Sequence, residues 1–287
     1  MVPDHSSEPP TRLIWLLGHP VAHSLSPRLH NAAFRHQGLD FRYLALDVLP
    51  EQLSDVVSQM RSLHVHGANV TIPHKEAVIP LLDCITPEAT GIGAVNTIVN
   101  DDGQLRGHNT DLAGFGQALR TILPAGAKGL SCLVVGAGGA AKAAVTSLLA
   151  DGPQHVWVTN RTLERARALC ASMAQETREL CIPLALDQAQ SLVNKVDLYV
   201  NATPVGLPDS VKDFPLAVDT LHSGQVLVDV VYGIEPTPLV LAARERGALA
   251  IDGTEMLLQQ AARSYHLWTG REAPLEVMRE SITSFEG

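Results

Sequence analysis

Ser131-Cys132-Leu133-Val134-Val135-Gly136-Ala137-Gly138-Gly139-Ala140-Ala141 reads as a short apolar strand, a glycine turn and the start of a helix that continues to Ala150. A second strand, His155–Thr159, follows directly. This is the context that a dinucleotide fingerprint requires. Gly136 and Gly138 permit the tight turn and let a pyrophosphate approach the backbone N–H groups of Ala137, Gly139 and Ala140 at a helix N-terminus. Ala141 stands in place of the third glycine and still allows close helix–strand packing. A lone G-x-G is more often a turn than a cofactor site; strand, loop, helix and second strand together favour the cofactor.

Working outward, the helical pattern Thr162–Glu176 and apolar runs at Val196–Asn201, Gln225–Val230 and Ala248–Asp252 complete a set of the size expected for a doubly wound, Rossmann-type domain. An α/β unit precedes it. Arg12–Leu17, Phe41–Val48, His64–Val70 and Ala94–Val99 have strand character. In the helix Glu51–Leu63, Leu53, Val56, Val57 and Met60 fall at i, i+3, i+4 and i+7. The expectation is an α/β protein of two domains: a disordered tail over 1–11, a substrate domain over 12–111 and a nucleotide domain over 112–252. Helices at Glu255–Leu267 and Pro274–Phe285, within 253–287, are expected to return to the first domain and so create a cleft for a small ligand.

The second strand of the nucleotide series ends in Asn160-Arg161-Thr162, with Arg165 just beyond. An NAD site usually places Asp or Glu here for the ribose 2′-hydroxyl. This chain has two arginines instead, suited to clamp a 2′-phosphate, so the cofactor reads as NADP. The competing reading makes Thr162 an N-cap and the arginines a solvated helix face.

Bulk properties exclude several classes. A net charge of −9 offers no concentrated basic surface for nucleic acid. No apolar run reaches the length of a membrane span. Cys84, Cys132, Cys170 and Cys181 have neither C-x-x-C spacing nor histidine partners, so no metal is expected and they read as core residues of a reducing compartment. Residues 1–11 lack the basic start and apolar stretch of a signal peptide. A cytoplasmic protein acting on a small molecule is expected, as a monomer or a homodimer.

Three further segments carry candidate chemistry. In Ser24-Leu25-Ser26-Pro27 both hydroxyls face one side of an extended segment and could hold a carboxylate, although Ser26 alone reads as an N-cap. Gly67-Ala68-Asn69-Val70-Thr71-Ile72-Pro73-His74-Lys75 ends in a lysine. Asn109-Thr110-Asp111 supplies a carboxylate at the start of a helical pattern, Leu112–Leu123, where it could equally be a cap. A lysine beside a carboxylate in a dinucleotide-binding chain suggests proton transfer coupled to hydride transfer.

These segments occur with Gly93-Ala94-Val95-Asn96-Thr97, Asn201-Ala202-Thr203-Pro204-Val205-Gly206, Asp252-Gly253 and Gln260-Ala261-Ala262 in one order. From about Arg12 to its last helix the chain resembles the shikimate dehydrogenase family. The resemblance implies NADPH-dependent, reversible reduction of 3-dehydroshikimate to shikimate, within aromatic amino-acid biosynthesis. It implies Lys75 and Asp111 as the catalytic pair, and Ser24 and Ser26 on the ring carboxylate with Tyr232 near it. Thr71, Asn96, Asp111 and Gln260 would hold ring hydroxyls, and Thr203, Val230, Gly253 and Met256 would adjoin the cofactor. Pro87 stands where some members carry a carboxylate. The competing functions are a quinate/shikimate dehydrogenase of broader substrate or cofactor use, and a noncatalytic NADP-binding sensor.

Overall fold

The computed structural model describes residues 11–206, 215–217 and 221–283; of the expected tail over 1–11, residues 1–10 lie outside them. The chain divides into two compact units, one of Met1–Ile85, Asn96–Gly107 and Ser264–Gly287, the other of Thr86–Val95 and His108–Arg263.

The first unit holds β1 (Arg12–Gly18), α1 (Ser26–His36), β2 (Phe41–Asp47), α2 (Leu53–Ser62), β3 (Gly67–Val70) and the two-residue β4 (Cys84–Ile85). The chain enters the second unit for α3 (Pro87–Ile92) and returns for β5 (Thr97–Asp101) and β6 (Gln104–His108). The first sheet runs β2-β1-β3-β5-β6-β4, with β1 parallel to β2 and β3, and β5 antiparallel to β3. The expected strand His64–Val70 begins only at Gly67, because His64 has φ +50° and ends the turn after α2.

The second unit continues with α4 (Asp111–Ile122), β7 (Ser131–Val135), α5 (Gly139–Ala150), β8 (His155–Thr159), α6 (Leu163–Ala171), β9 (Cys181–Leu184), α7 (Leu186–Gln190) and β10 (Leu198–Asn201). After β11 (Val226–Asp229), α8 (Pro238–Glu245) and β12 (Leu249–Ile251) comes α9 (Thr254–Thr269), within which the chain passes back to the first unit and to α10 (Leu275–Thr283). The sheet order is β12-β11-β10-β7-β8-β9, every pair parallel. This is the doubly wound order, and its direction reverses between β7 and β10, where ligands of such sheets bind. Side chains alternate along the strands: Cys132, Val134, Leu198, Val200 and Val228 share one core with α5, and Leu133, Val135, Tyr199 and Leu227 share the other with α8. Burial on both faces explains why these strands read as uninterrupted apolar runs.

The compact units break the chain at points other than those expected. The first boundary follows Gly107 and not residue 111, and α3 groups with the nucleotide unit because both α3 and α4 pack on α5. The C-terminal return starts at Ser264 and not at residue 253. From there the chain is fastened into the first unit: α10 packs on α1, the Tyr265 hydroxyl donates to Gln37 Oε1 (3.0 Å), and Trp268 Nε1 donates to the Ile98 carbonyl (3.0 Å). Among the described residues no helix is long and apolar enough to cross a membrane.

Candidate active site

In the first unit the candidate residues gather where β1, β2 and β3 end. The Thr71 N–H donates to the Leu17 carbonyl (2.8 Å) and the His19 N–H to Ile72 (2.9 Å), lacing the segment after β1 to the turn after β3. Ser26 is buried and opens α1, but Leu25 occupies the cap position, with no side-chain capping bond. Instead the Ser26 N–H donates to Ser24 Oγ (3.3 Å), which keeps the two serines together. The expected capping role of Ser26 is therefore replaced.

Lys75 is half-buried at the end of a braced turn. Beside it, His74 is buried, its Nε2–H donates to the Val48 carbonyl (2.6 Å), and its N–H donates to Thr71 (2.8 Å). A carbonyl cannot donate, so the contact fixes the proton on Nε2. Asn69 is a second brace: it accepts from the Tyr43 hydroxyl (2.8 Å) and donates to the Asn96 carbonyl (3.0 Å) and Ser264 Oγ (3.2 Å). The Asn96 carbonyl also takes the Val70 N–H (2.9 Å), and its side-chain Oδ1 accepts from the Thr97 hydroxyl (3.1 Å). The Asn96 backbone is thus held against Val70, the residue before Thr71. His74 and Asn69 escaped the sequence reading, although each lies inside the quoted run; a histidine or amide in an apolar segment is the signal.

In the second unit Asp111 is buried at the first position of α4, and it is not the cap. Asn109 does that work, accepting from the Leu112 N–H (3.2 Å) while donating to the Ala94 carbonyl (2.9 Å). The adjacent Thr110 hydroxyl donates to Gln260 Oε1 (3.4 Å), so Asp111 and Gln260 lie on neighbouring segments. Pro87 is the first residue of α3, behind the capping Thr86.

The glycine turn fits a dinucleotide. Gly136 has φ +125°, and a Cβ there would lie 2.5 Å from the Ala202 carbonyl oxygen, so only glycine passes β10 at this distance. At Gly138 a Cβ would meet no protein atom within 4 Å, which leaves open space before α5, whose N-terminus has no side-chain cap. Arg161 and Arg165 are exposed and their guanidinium groups have no hydrogen-bond or ion-pair partner among the described residues, in contrast to Arg167, which pairs with Glu164 (2.6 Å). Thr162 sits at the cap position of α6 without a capping bond, and Asn160 fixes this loop by donating to the Thr162 carbonyl (3.0 Å).

The turns at the ends of β10, β11 and β12 are joined through buried polar groups. The Asn201 Oδ1 accepts from the Thr203 N–H (3.0 Å) and hydroxyl (2.7 Å), and its Nδ2 donates to Asp229 (2.8 Å). The Gly253 N–H donates to the Val231 carbonyl (2.9 Å), and a Cβ on Gly253 would lie 2.2 Å from the Val230 oxygen. Burial pushes the Asp229 carboxyl up to about 6, against the pull of its donors Thr237, Val231 and Asn201. Tyr232 is half-buried next in this segment, and Met256 belongs to the core shared with α5. In the sequence Asp229 is marked only as a carboxylate closing the apolar strand Val226–Asp229.

Family models match three stretches: shikimate dehydrogenase substrate binding domain over residues 16–98, shikimate / quinate 5-dehydrogenase over 119–211, and shikimate 5′-dehydrogenase C-terminal domain over 253–283. A shikimate dehydrogenase (NADP(+)) of Moorella thermoacetica is 45% identical over 96% of this chain and 96% of its own. A crystal structure of a shikimate dehydrogenase in complex with NADP+ matches with TM-score 0.86 and 38% identity, over 95% of this chain and 94% of that one. A quinate dehydrogenase from Corynebacterium glutamicum in complex with NAD matches with TM-score 0.85 and 34% identity, over 96% and 99%. With a near-full-length relative at this identity and the same doubly wound nucleotide unit, the chain belongs to the shikimate dehydrogenase family.

Proposed function

We propose that the chain is an NADP-dependent shikimate dehydrogenase, reducing 3-dehydroshikimate reversibly to shikimate in the pathway to aromatic amino acids. The observation that carries this reading is the full-length, 45% identical relative of that activity, in a chain that presents Lys75 and an open glycine turn. NADPH bound at the glycine turn supplies the hydride.

In the reduction direction the Lys75 ammonium donates a proton to the ketone oxygen, where negative charge develops, and the resulting amine regains its proton from water. The Asp111 carboxylate orients the ammonium and compensates its charge. Ser24 and Ser26 hold the ring carboxylate with Tyr232 near it, and Thr71, Asn96, Asp111 and Gln260 take the ring hydroxyls. A site built on hydroxyl recognition rejects analogues lacking them, by about 10⁴–10⁵-fold in favourable cases. Gly136 to Ala140 receive the pyrophosphate, Asn160, Arg161, Thr162 and Arg165 the 2′-phosphate, and Thr203, Val230, Gly253 and Met256 adjoin the nicotinamide.

The exposed guanidinium groups of Arg161 and Arg165, without a partner among the described residues, favour NADP over the NAD of the quinate dehydrogenase relative. Steady-state kinetics with shikimate and quinate, each with NADP and NAD, test the reading. The highest kcat/KM is expected for shikimate with NADP; a higher value for quinate with NAD would replace it.

A further inference from the structure

Asp229 is a fully buried carboxylate to which the reaction assigns no chemistry. Its Oδ1 accepts from Asn201 Nδ2 (2.8 Å) and the Val231 N–H (3.0 Å), and its Oδ2 accepts from the Thr237 hydroxyl (2.7 Å). The donors come from two segments, the end of β10 and the connection between β11 and α8. Asn201 closes β10 and holds Thr203 through two bonds to its own Oδ1. Val231 follows β11, and its carbonyl receives the Gly253 N–H from the turn after β12. Thr237 caps α8, accepting from the Val240 N–H (3.3 Å).

One side chain therefore ties the end of β10 to the β11–α8 connection, and through the Val231 carbonyl to the turn after β12, at the edge where sheets of this order bind ligands. An apolar residue of similar volume would fill the space but leave three buried donors unpaired. What an apolar residue cannot supply is three acceptor positions in fixed directions.

We propose that Asp229 is a positioning residue for the nicotinamide end of the cofactor. Through Asn201 and Val231 it sets Thr203, Val230 and Gly253, without touching the cofactor itself. The proposal rests on the NADP-dependent reading of these turns. Hydride transfer is sensitive to such placement, because an error of about 1 Å in a reacting group costs on the order of a hundredfold in rate.

The test compares the wild-type chain with Asp229→Leu, which keeps the volume and loses every acceptor, and Asp229→Asn, which keeps an acceptor for Asn201 and Val231. Three quantities are measured: kcat with shikimate and NADP, NADPH affinity from its fluorescence, and affinity for 2′,5′-ADP, which occupies only the adenosine end. Asp229→Leu is expected to lower kcat about a hundredfold and Asp229→Asn less, by about tenfold. Both should weaken NADPH while binding 2′,5′-ADP within about twofold of wild type, since the glycine turn and Arg161 are untouched. Unchanged kcat and NADPH affinity, or equal losses for NADPH and 2′,5′-ADP, would overturn the proposal, the second outcome marking a general defect of the fold. If Asp229→Leu does not fold, the near-isosteric Asp229→Asn decides by the same ratio of the two ligands. A wild-type chain without NADP-dependent shikimate activity would sink the functional reading, and the two affinities would still decide the role of Asp229.

Discussion

Replacing Asp229 with asparagine should change how stability depends on pH, in a direction fixed by which force on the carboxyl wins. Burial raises its pKa from 3.8 to about 6, while the donors Thr237, Val231 and Asn201 pull it down and Asp252 adds a smaller upward push. Between those two values the folded chain holds a proton that the unfolded chain has already released. Stability is therefore fully present below about pH 4 and is lost as pH rises to about 6. A shift of about two pH units at 1.36 kcal/mol each sets the loss at about 3 kcal/mol, an order-of-magnitude figure. Asparagine does not titrate, so Asp229→Asn should lack this component. Urea unfolding of both proteins at intervals from pH 4 to pH 7, followed by circular dichroism, isolates it, because contributions from other groups cancel in the difference. Wild type should lose about 3 kcal/mol relative to the variant across this range. A flat difference would refute the argument. A relative gain by wild type as pH rises would show that the three donors outweigh burial.

Lys75→Ala should lower kcat by about 10²–10⁴-fold with a smaller effect on substrate binding, and near-normal turnover would remove the lysine from the chemistry. Replacing Ser24 and Ser26 together with alanine should mainly raise KM for shikimate; loss of stability with KM unchanged would leave the pair a role in the α1 entry only. Arg161→Ala should weaken NADP by roughly ten- to a hundredfold, at about 1.5–3 kcal/mol for a bond to a charged group, and leave NAD nearly unaffected. Because Arg161 is exposed, the preference for NADP should also shrink with added salt, and equal losses for both cofactors would mean that the residue supports the fold.

Legibility in the sequence followed the kind of signal each element carried. The nucleotide sheet was readable because β7, β10 and β11 are buried on both faces and written almost wholly in apolar residues. β6 was missed, since Leu105 and Gly107 are its only buried residues; the Asp102-Gly103 turn before it, with φ +49° and +91°, is the hairpin signal that marks it. β4, at two residues, is too short to show a period, and β9 carries Pro183, which reads as a break but is tolerated at the edge of the sheet. Among the candidate site residues, types and order were legible from the motifs. Their supports were not, because His74, Asn69 and Asp229 act through long-range bonds to Val48, Ser264 and Asn201 that no local spacing encodes.

The return of the last residues to α1 bears on how the chain is made. As synthesis proceeds, every strand of the nucleotide unit has been made once Arg263 has emerged. The substrate unit, although begun first, must wait for Tyr265, Trp268 and α10 to close over α1 and β5, more than 160 residues after those elements were made. The first unit to be translated is thus the last to be finished. A chain cut short before Ser264 would fail at its beginning and not at its end.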